Sequence, residues 1–236
     1  MRFCSILLLI FLSTTLFAQV NEETHDFSFE YGFVYHTLRG TQKVNNSRGR
    51  LTSDQNPYWT AAYTLRLGST YGVKLFGGVQ AMQFNEPAFG TIKKEDQVFD
   101  HYGLEVIRKM SPHFKVGIFI LQQDHPIYFA KTPVEFELVN TSFIQSGMHF
   151  AWGQRRRIGL LWGVGTKGYF IFPAKGGDIL TEAGAGGEVY ARLGWVGPFG
   201  ALYQGKGFYQ VTTAPNRDVT FQHELLGYCF QVSHSF

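Results

Sequence analysis

The sequence has few cysteines, few charged residues and no apolar run, beyond its N-terminal segment, that is long enough for a membrane-spanning helix. It contains two cysteines, Cys4 and Cys229, and Cys4 lies in the N-terminal segment, so the rest of the chain cannot form an internal disulfide. Charged residues make up 17% of the chain, below the usual ~25%. The net charge of +3 is too small to indicate a nucleic-acid partner. After Phe17 no apolar run approaches the roughly 20 residues that a membrane-spanning helix needs.

Motifs that mark nucleotide or metal chemistry are also missing from the sequence. There is no glycine-rich dinucleotide loop, no phosphate-binding loop, no zinc-type spacing of cysteine and histidine, and no long repeat. We therefore expect no cofactor and no metal, and we assign no catalytic residue from motifs alone.

The N-terminus has the layout of a secretory signal. A short positive start, Met1-Arg2, precedes an apolar run over Ile6–Phe17, and the small residue Ala18 follows. Because Cys4 comes before the run, it is badly placed for a lipoprotein cleavage site. The sequence predicts a signal peptide at 1–18, cleaved after Ala18, and a single domain at 19–236.

Glycine and aromatic residues are abundant, with 27 Gly, 12 Tyr and 23 Phe. Glycine disfavours helices, whereas aromatic residues favour strands. The first strand alternates most clearly: Phe27, Phe29, Tyr31, Phe33 and Tyr35 share one face, with Ser, Glu, Gly and Val between them. The pattern runs for about ten residues, as in a tilted strand that crosses a membrane.

Nine further strands follow from the same alternation, although eight strands in total is the alternative. They are predicted at Tyr58–Leu67, Tyr71–Phe84, Gln97–Lys109, Phe114–Leu121, Thr141–Trp152, Arg157–Phe170, Gly186–Leu193, Phe199–Tyr209 and Val219–Phe236. Every second connection is short and the others are long, as in an antiparallel up-and-down barrel. The predicted fold is therefore an all-β, antiparallel, up-and-down transmembrane barrel of about ten strands.

The character of the two faces predicts which one points outward. The aromatic face carries more rings than a narrow lumen can hold, so we expect it to contact lipid. The other face combines glycine with charges of both signs, which would have to pair inside a lumen. The predicted luminal polar network consists of Glu30, Arg66, Lys74, Glu105, Lys115, Glu188 and Arg192. Cross-strand partners such as Lys74 or Lys115 are expected for Glu105.

The C-terminal strand ends in Phe236, with Val232, Phe230 and Tyr228 on the same face. This ending resembles the signature by which the barrel-assembly machinery recognises outer-membrane barrels, except that His234 departs from it. With the signal peptide and the connection lengths, the chain resembles small single-chain outer-membrane β-barrels of Gram-negative bacteria. The resemblance covers the architecture of the mature chain and identifies no subfamily. It implies an outer-membrane location with lipid and lipopolysaccharide as neighbours.

The first long connection is basic. It carries Arg39, Lys43, Arg48 and Arg50 against Asp54. Lipopolysaccharide phosphates could bind such a segment through charge-assisted hydrogen bonds, while the alternative is an ordinary solvated loop.

Three arrangements of polar residues are weak candidates for catalytic or metal sites. Outer-membrane proteases of the omptin type use Asp-Asp and Asp-His pairs, and the pairs here are Asp100-His101 and Asp124-His125. Their adjacent side chains should diverge on a strand, and the tall barrel of that family would need a longer chain. The segment Ser233-His234-Ser235 faces the same objection. His36, His149 and His223 could reach the lumen, but strand order does not bring them together.

The sequence thus supports three functional hypotheses. The preferred one is a non-enzymatic outer-membrane barrel, which is structural, a narrow pore or a binder of surface ligands. The second is a lipid-A-modifying or proteolytic barrel enzyme. The third is a soluble periplasmic barrel that binds a ligand.

Overall fold

A computed structural model describes residues 24–43, 48–83, 97–130, 136–155, 158–173, 183–197, 201–215 and 219–235. The predicted signal peptide and Phe236 lie outside these ranges. No helix in the described ranges is long and apolar enough to span a membrane. Almost all of the described residues are in strands, which confirms the all-β prediction.

Eleven strands are present in the described part of the chain. They are β1 (Thr24–Gln42), β2 (Arg48–Thr52), β3 (Asn56–Leu67), β4 (Tyr71–Met82), β5 (Gln97–Lys109), β6 (Phe114–Ala130), β7 (Phe136–Arg155), β8 (Gly159–Pro173), β9 (Gly184–Val196), β10 (Leu202–Pro215) and β11 (Val219–Ser235).

The strands form one closed antiparallel barrel. From β3 to β11 each strand pairs with the next in chain order, β1 pairs with β3, and β11 pairs with β1 from Asp26↔Ser235 to Gln42↔Val219, which closes the sheet. The short strand β2 pairs with the outer part of β1, above the place where β3 pairs with the inner part. Since β2 and β3 occupy one position around the ring, the barrel has ten strands, as predicted.

The aromatic face of the first strand points away from the lumen. Phe27, Phe29 and Tyr31 are 49%, 44% and 47% exposed, while Val34 and His36, at odd spacing from them, are buried. The last strand repeats the pattern, because Tyr228 and Phe230 are exposed and Cys229 between them is buried. An apolar outward band of this kind suits contact with hydrocarbon.

The connections at the two ends differ in length, but four of the five long ones are shorter than expected; the exception is the connection between β4 and β5, which spans 83–96. The predicted loop at 122–140 is largely strand, because β6 continues to Ala130 and β7 starts at Phe136. The predicted loop at 39–57 contains the end of β1, all of β2 and the start of β3. Proline and polar residues suggested loops there, yet pairing between extended hairpins satisfies the backbone. The other end has tight turns, such as the one at Gly68 with φ of +62°.

The extended strands make one end of the barrel tall. With 19 residues, β1 measures about 60 Å along its length at ~3.3 Å per residue. Even at a tilt of ~45° it exceeds the ~25 Å height of an outward apolar band. The end with the long connections, called the outer end here, therefore projects beyond that band.

Candidate functional site

Glycines on the lumen wall make room for large side chains from neighbouring strands. A Cβ on Gly165 or Gly186 would lie within 3 Å of the Tyr190 or Tyr169 ring, respectively. A Cβ on Gly163 would lie 2.7 Å from Nε of Arg192. The glycine-rich inner face is therefore needed because the lumen is filled with side chains.

The middle of the lumen contains a charged layer. Lys206 Nζ lies 3.5 Å from a Glu188 carboxylate oxygen and 3.8 Å from one of Glu30. Lys167 donates a 2.9 Å hydrogen bond to the other oxygen of Glu188. The Tyr58 hydroxyl donates to Glu30 at 2.8 Å. These groups come from five different strands, so the layer links opposite parts of the wall.

Glu105 has a different partner from the one expected. It is in register with Lys74 on β4, but its carboxylate contacts Nδ1 of His149 at 2.5 Å instead. Nε2 of the same ring lies 2.7 Å from the Tyr190 hydroxyl. Lys74 lies over the Phe76 ring, 5.4 Å from its centroid. Lys74 is therefore near Glu105, as expected, but forms no ion pair with it within 4 Å among the described residues, because register fixes Cβ positions and not the directions of long side chains.

The remaining predicted luminal residues lie nearer the tight-turn end. Arg66 forms an ion pair with Asp26 at 2.5 Å and is partly exposed. Lys115 is exposed at the start of β6. Arg192 lines the same cavity as the charged layer. The structure thus brings Glu30, Glu188 and Lys206 together with Lys167, and leaves Arg66 and Lys115 away from them.

A chain of hydrogen-bonded side chains crosses the lumen above the charged layer. Nδ1 of His36 lies 2.9 Å from Nε2 of His223, and Nδ1 of His223 lies 3.2 Å from Nδ1 of His125. Nε2 of Gln80 lies 2.7 Å from Nε2 of His36, and Nε2 of Gln145 lies 2.9 Å from Nε2 of His125. All three rings are 1–2% exposed. We call these five residues the histidine chain.

The geometry of the histidine chain suits hydrogen bonding better than metal binding. His223 presents a different ring nitrogen to each neighbour, so the three rings do not converge on one point. No group of three or more His, Cys, Asp or Glu in the described ranges could hold a metal ion. The sequence predicts that strand order keeps His36, His149 and His223 apart. That holds for His149, which contacts Glu105, but it is wrong for His36 and His223, which lie on the paired strands β1 and β11. The sequence pattern did not place His125 in the lumen because β6 was predicted to end at Leu121.

Apolar side chains fill the lumen beside the histidine chain. The members of this cluster are Leu38, Leu51, Phe119, Phe143, Tyr169, Ile171, Ala214 and Phe221. In addition, Cα atoms of β6 and β11 come within 8 Å of one another, although these strands lie on opposite sides of the ten-strand ring. A round ten-strand barrel would keep opposite walls roughly 20 Å apart. The described part of the lumen is therefore pinched and filled near its outer end.

The outer face of the β1–β2 hairpin is basic. Arg39 and Arg50 are directly opposite one another in the register, and Arg48 is opposite Thr41. Because Leu38 and Leu51 point into the lumen, these arginines point outward. Arg39 forms an ion pair with Glu224 at 3.2 Å. Lys43 is exposed in the turn that follows β1.

The sequence neighbours of the histidines do not form catalytic pairs. His125 is buried in the lumen, whereas Asp124 lies on the opposite face of β6 and is partly exposed. His101 contacts Thr60 at 2.9 Å, and Asp100 is exposed. Ser235 donates a hydrogen bond to Asp26, while His234 faces the other side. In each case strand alternation separates the groups that catalysis would need together.

The outward residues of the C-terminal strand form one exposed line. Tyr228, Phe230 and Val232 are 48%, 54% and 38% exposed, and each pairs with an aromatic residue of β1. They lie on the strand that closes the barrel. Recognition by assembly machinery remains a prediction from the sequence pattern.

No protein-family model and no curated protein matches this sequence. Among solved structures, the outer membrane protease OmpT from Escherichia coli matches with a TM-score of 0.61 and 7% identity, over 93% of this chain and 100% of that one. Ail from Yersinia pestis, the attachment invasion locus protein, matches with a TM-score of 0.27 and 10% identity, over 87% and 97% of the two chains. The outer membrane protein OprG from Pseudomonas aeruginosa gives 0.35 and 12%, over 92% and 98%.

The likeness to OmpT concerns the fold, and it confirms the predicted resemblance to outer-membrane β-barrels. The match to OmpT spans the whole of that chain, so the objection that this chain is too short for a tall barrel was wrong. Extending strands into predicted loops provides the height. Identity of 7% carries no activity with it, because function depends on particular site residues.

Proposed function

We propose that this protein is an exported outer-membrane barrel with a closed lumen, whose outer end binds the phosphate groups of lipopolysaccharide. The observation that carries the proposal is the outward row of arginines on the β1–β2 hairpin. The proposed export depends on cleavage of the signal peptide after Ala18, and the proposed location on the outward apolar band.

The position of the arginines relative to the outward apolar band supports the proposal. The outward residues of β1 and β11 are apolar up to Tyr35 and Leu226, which are in register, and polar from Thr37 and Glu224 onward. Arg39 lies two residues beyond Thr37, about 7 Å further along the strand. Charged headgroups of a lipid layer are expected near this level, just outside the hydrocarbon.

The charge arrangement also favours an anionic partner. Like charges directly opposite on paired strands destabilise a sheet, and Arg39 faces Arg50 in this way. Glu224 compensates Arg39, whereas Arg50 and Arg48 have no ion pair with any residue in the described ranges. Phosphate oxygens, which accept paired hydrogen bonds from guanidinium groups, would relieve the repulsion.

A recess lies beside these arginines on the outer wall. It has a volume of about 390 Å³ and is lined by residues such as Tyr35, Tyr209, Leu226 and Glu224. Gln55 donates hydrogen bonds to the hydroxyls of Tyr35 and Tyr228 at 2.6 and 2.9 Å, which fixes one side of it. With apolar and polar walls side by side, the recess suits the junction between acyl chain and headgroup.

Replacing both Arg48 and Arg50 by glutamine is expected to weaken binding of purified lipopolysaccharide about tenfold or more, since each charged hydrogen bond contributes about 1.5–3 kcal/mol. Isothermal titration with protein purified from outer membranes would measure this. The intact mass of the same sample should correspond to a chain that starts at Gln19.

The matched control is Arg108→Gln, which removes an arginine stacked on Tyr71 at the tight-turn end. It should bind lipopolysaccharide like the unaltered protein. Dephosphorylated lipopolysaccharide should bind both forms equally weakly. Equal affinity of the Arg48/Arg50 variant and the unaltered protein for intact lipopolysaccharide would contradict the proposal.

The filled lumen leads to a second expectation, which concerns the narrow-pore hypothesis. Because Leu38, Phe143, Phe221 and the three imidazoles of the histidine chain are almost completely buried, we expect the reconstituted protein to produce no stepwise conductance in planar bilayers. Insertion would be verified independently by protease protection. Regular conductance steps that scale with protein concentration would show that the barrel is an open pore.

A further inference from the structure

The charged layer surrounds a luminal cavity of about 230 Å³. Four cationic side chains, Lys74, Lys167, Arg192 and Lys206, line it, together with three carboxylates, those of Glu30, Glu105 and Glu188. The cavity therefore carries a surplus of positive charge, separate from the arginines on the outer wall.

Each of the three carboxylates contacts a basic group other than Arg192, although Oε1 of Glu188 has no hydrogen-bond partner among the described residues. Glu30 and Glu188 contact Lys206, Glu188 also contacts Lys167, and Glu105 contacts His149. Within the described residues, no carboxylate lies within 4 Å of the charged group of Arg192 or Lys74. Glu105 and Glu30 still attract Lys74 across the cavity. Since an unpaired charge in a closed interior is costly, Arg192 is the cation that an external anion would stabilise most.

Of Arg192 and Lys74, Arg192 is the stronger candidate for binding an anion. It is directly opposite Lys206 in the register of β9 and β10, so two like charges face each other. Its Nε is buried and has no hydrogen-bond partner among the described residues. Gly163 on β8 gives the side chain the space to lie along the wall.

Gln204 supplies a second unsatisfied group in the same cavity. This residue is 3% exposed, its Oε1 has no partner among the described residues, and its Nε2 donates to Gln231. If the side-chain amides of Gln204 and Gln231 were both rotated by 180°, Gln231 would donate their mutual hydrogen bond. Gln204 would then present an N–H to the cavity in place of Oε1. Arg192 and Gln204 are diagonal neighbours, roughly 7–8 Å apart at the backbone, so both side chains can reach one ligand.

We propose that the lumen binds one small oxyanion, a phosphate or carboxylate group, between the Arg192 guanidinium and the Gln204 amide. An ordered water takes ~30 Å³ of liquid volume, so the cavity holds such a group together with a few waters. Lys206 adds attraction, while Glu30 and Glu188 restrict the site to small ligands of low charge. This site does not depend on the proposed lipopolysaccharide surface.

The test is isothermal titration of the full mature protein in detergent with inorganic phosphate and, separately, with acetate. Saturable binding in the millimolar range is expected for at least one of them. Arg192→Met should weaken it about tenfold or more, whereas Arg108→Gln should leave it unchanged. Arg192→Met should still bind lipopolysaccharide, and the Arg48/Arg50 variant should still bind the small anion, which separates the two proposals.

A second variant tests the same site in case Arg192→Met does not fold. Gly163→Ala keeps every charge, but its methyl group would displace the Arg192 side chain, so the affinity for the anion should fall severalfold. Folding of each variant would be verified by the heat-dependent shift of the barrel band in gel electrophoresis. Absence of saturable binding of both anions to the unaltered protein, or equal affinity in folded Arg192→Met or Gly163→Ala, would overturn the proposal.

Discussion

Replacing His223 by leucine is expected to lower the free energy of unfolding by about 3 kcal/mol or more. The central ring of the histidine chain bonds both His36 and His125, and leucine can replace neither bond. Losing a partner costs a buried polar group about 1–3 kcal/mol, and two rings are affected. Urea unfolding in detergent, followed by tryptophan fluorescence, would measure the change.

Two further variants, a control and a triple replacement, test whether lost hydrogen bonds explain the change in stability. His113→Leu changes an exposed histidine in a tight turn and should alter the stability by no more than about 0.5 kcal/mol. Replacing His36, His125 and His223 together by leucine should recover at least half of the loss, because no imidazole is then left buried without a partner. Of the two amides that remain, Gln145 still bonds Gln123 and Gln80 is partly exposed. If the triple variant were less stable than His223→Leu by a further comparable amount, the hydrogen-bond explanation would be wrong.

Glu188→Gln is expected to have the second large effect, a loss of about 3 kcal/mol. Glu188 is 8% exposed and is the carboxylate shared by Lys167 and Lys206. Neutralising one member of a buried ion pair leaves the other charges uncompensated, which costs about 3–5 kcal/mol. The lower end of that range applies because Lys206 keeps Glu30 at 3.8 Å.

The matched control for Glu188→Gln is Glu224→Gln, which breaks the ion pair with Arg39 on the outer wall. Arg39 is 49% exposed, and an exposed pair contributes about 0–1 kcal/mol. The same unfolding experiment should therefore separate the two variants by roughly 2 kcal/mol or more. Equal stabilities would mean that the charged layer is as well solvated as the outer wall.

Strand alternation allowed the fold to be predicted in some detail. The aromatic face of β1 had to point outward because a narrow lumen cannot contain five rings, and the structure has that orientation. Boundaries at the outer end were predicted less well. Pro126 and Asp124 suggested a turn, but hairpin pairing between β6 and β7 continues through both residues.

The sequence predicted which side chains point into the lumen, but not which of them contact one another. Alternation assigns Glu105, His149 and Tyr190 to the inner face, yet no local pattern shows that these residues from β5, β7 and β9 would meet. The contact of His125 with His223 depends on the pinching of the barrel, which brings opposite walls together. That shape results from the packing of all ten strands and leaves no signal in any one of them.

By itself, therefore, the sequence determined the strand fold, the outward direction of its rings and the inward direction of its charges. These properties follow from a period of two, which each strand carries independently of the others. Only the tertiary structure decided which inward groups touch, that the described outer part of the lumen is filled, and that Arg192 has no carboxylate partner among the described residues. Such contacts join side chains far apart in the chain, so they depend on closure of the sheet and on the free space beside each glycine.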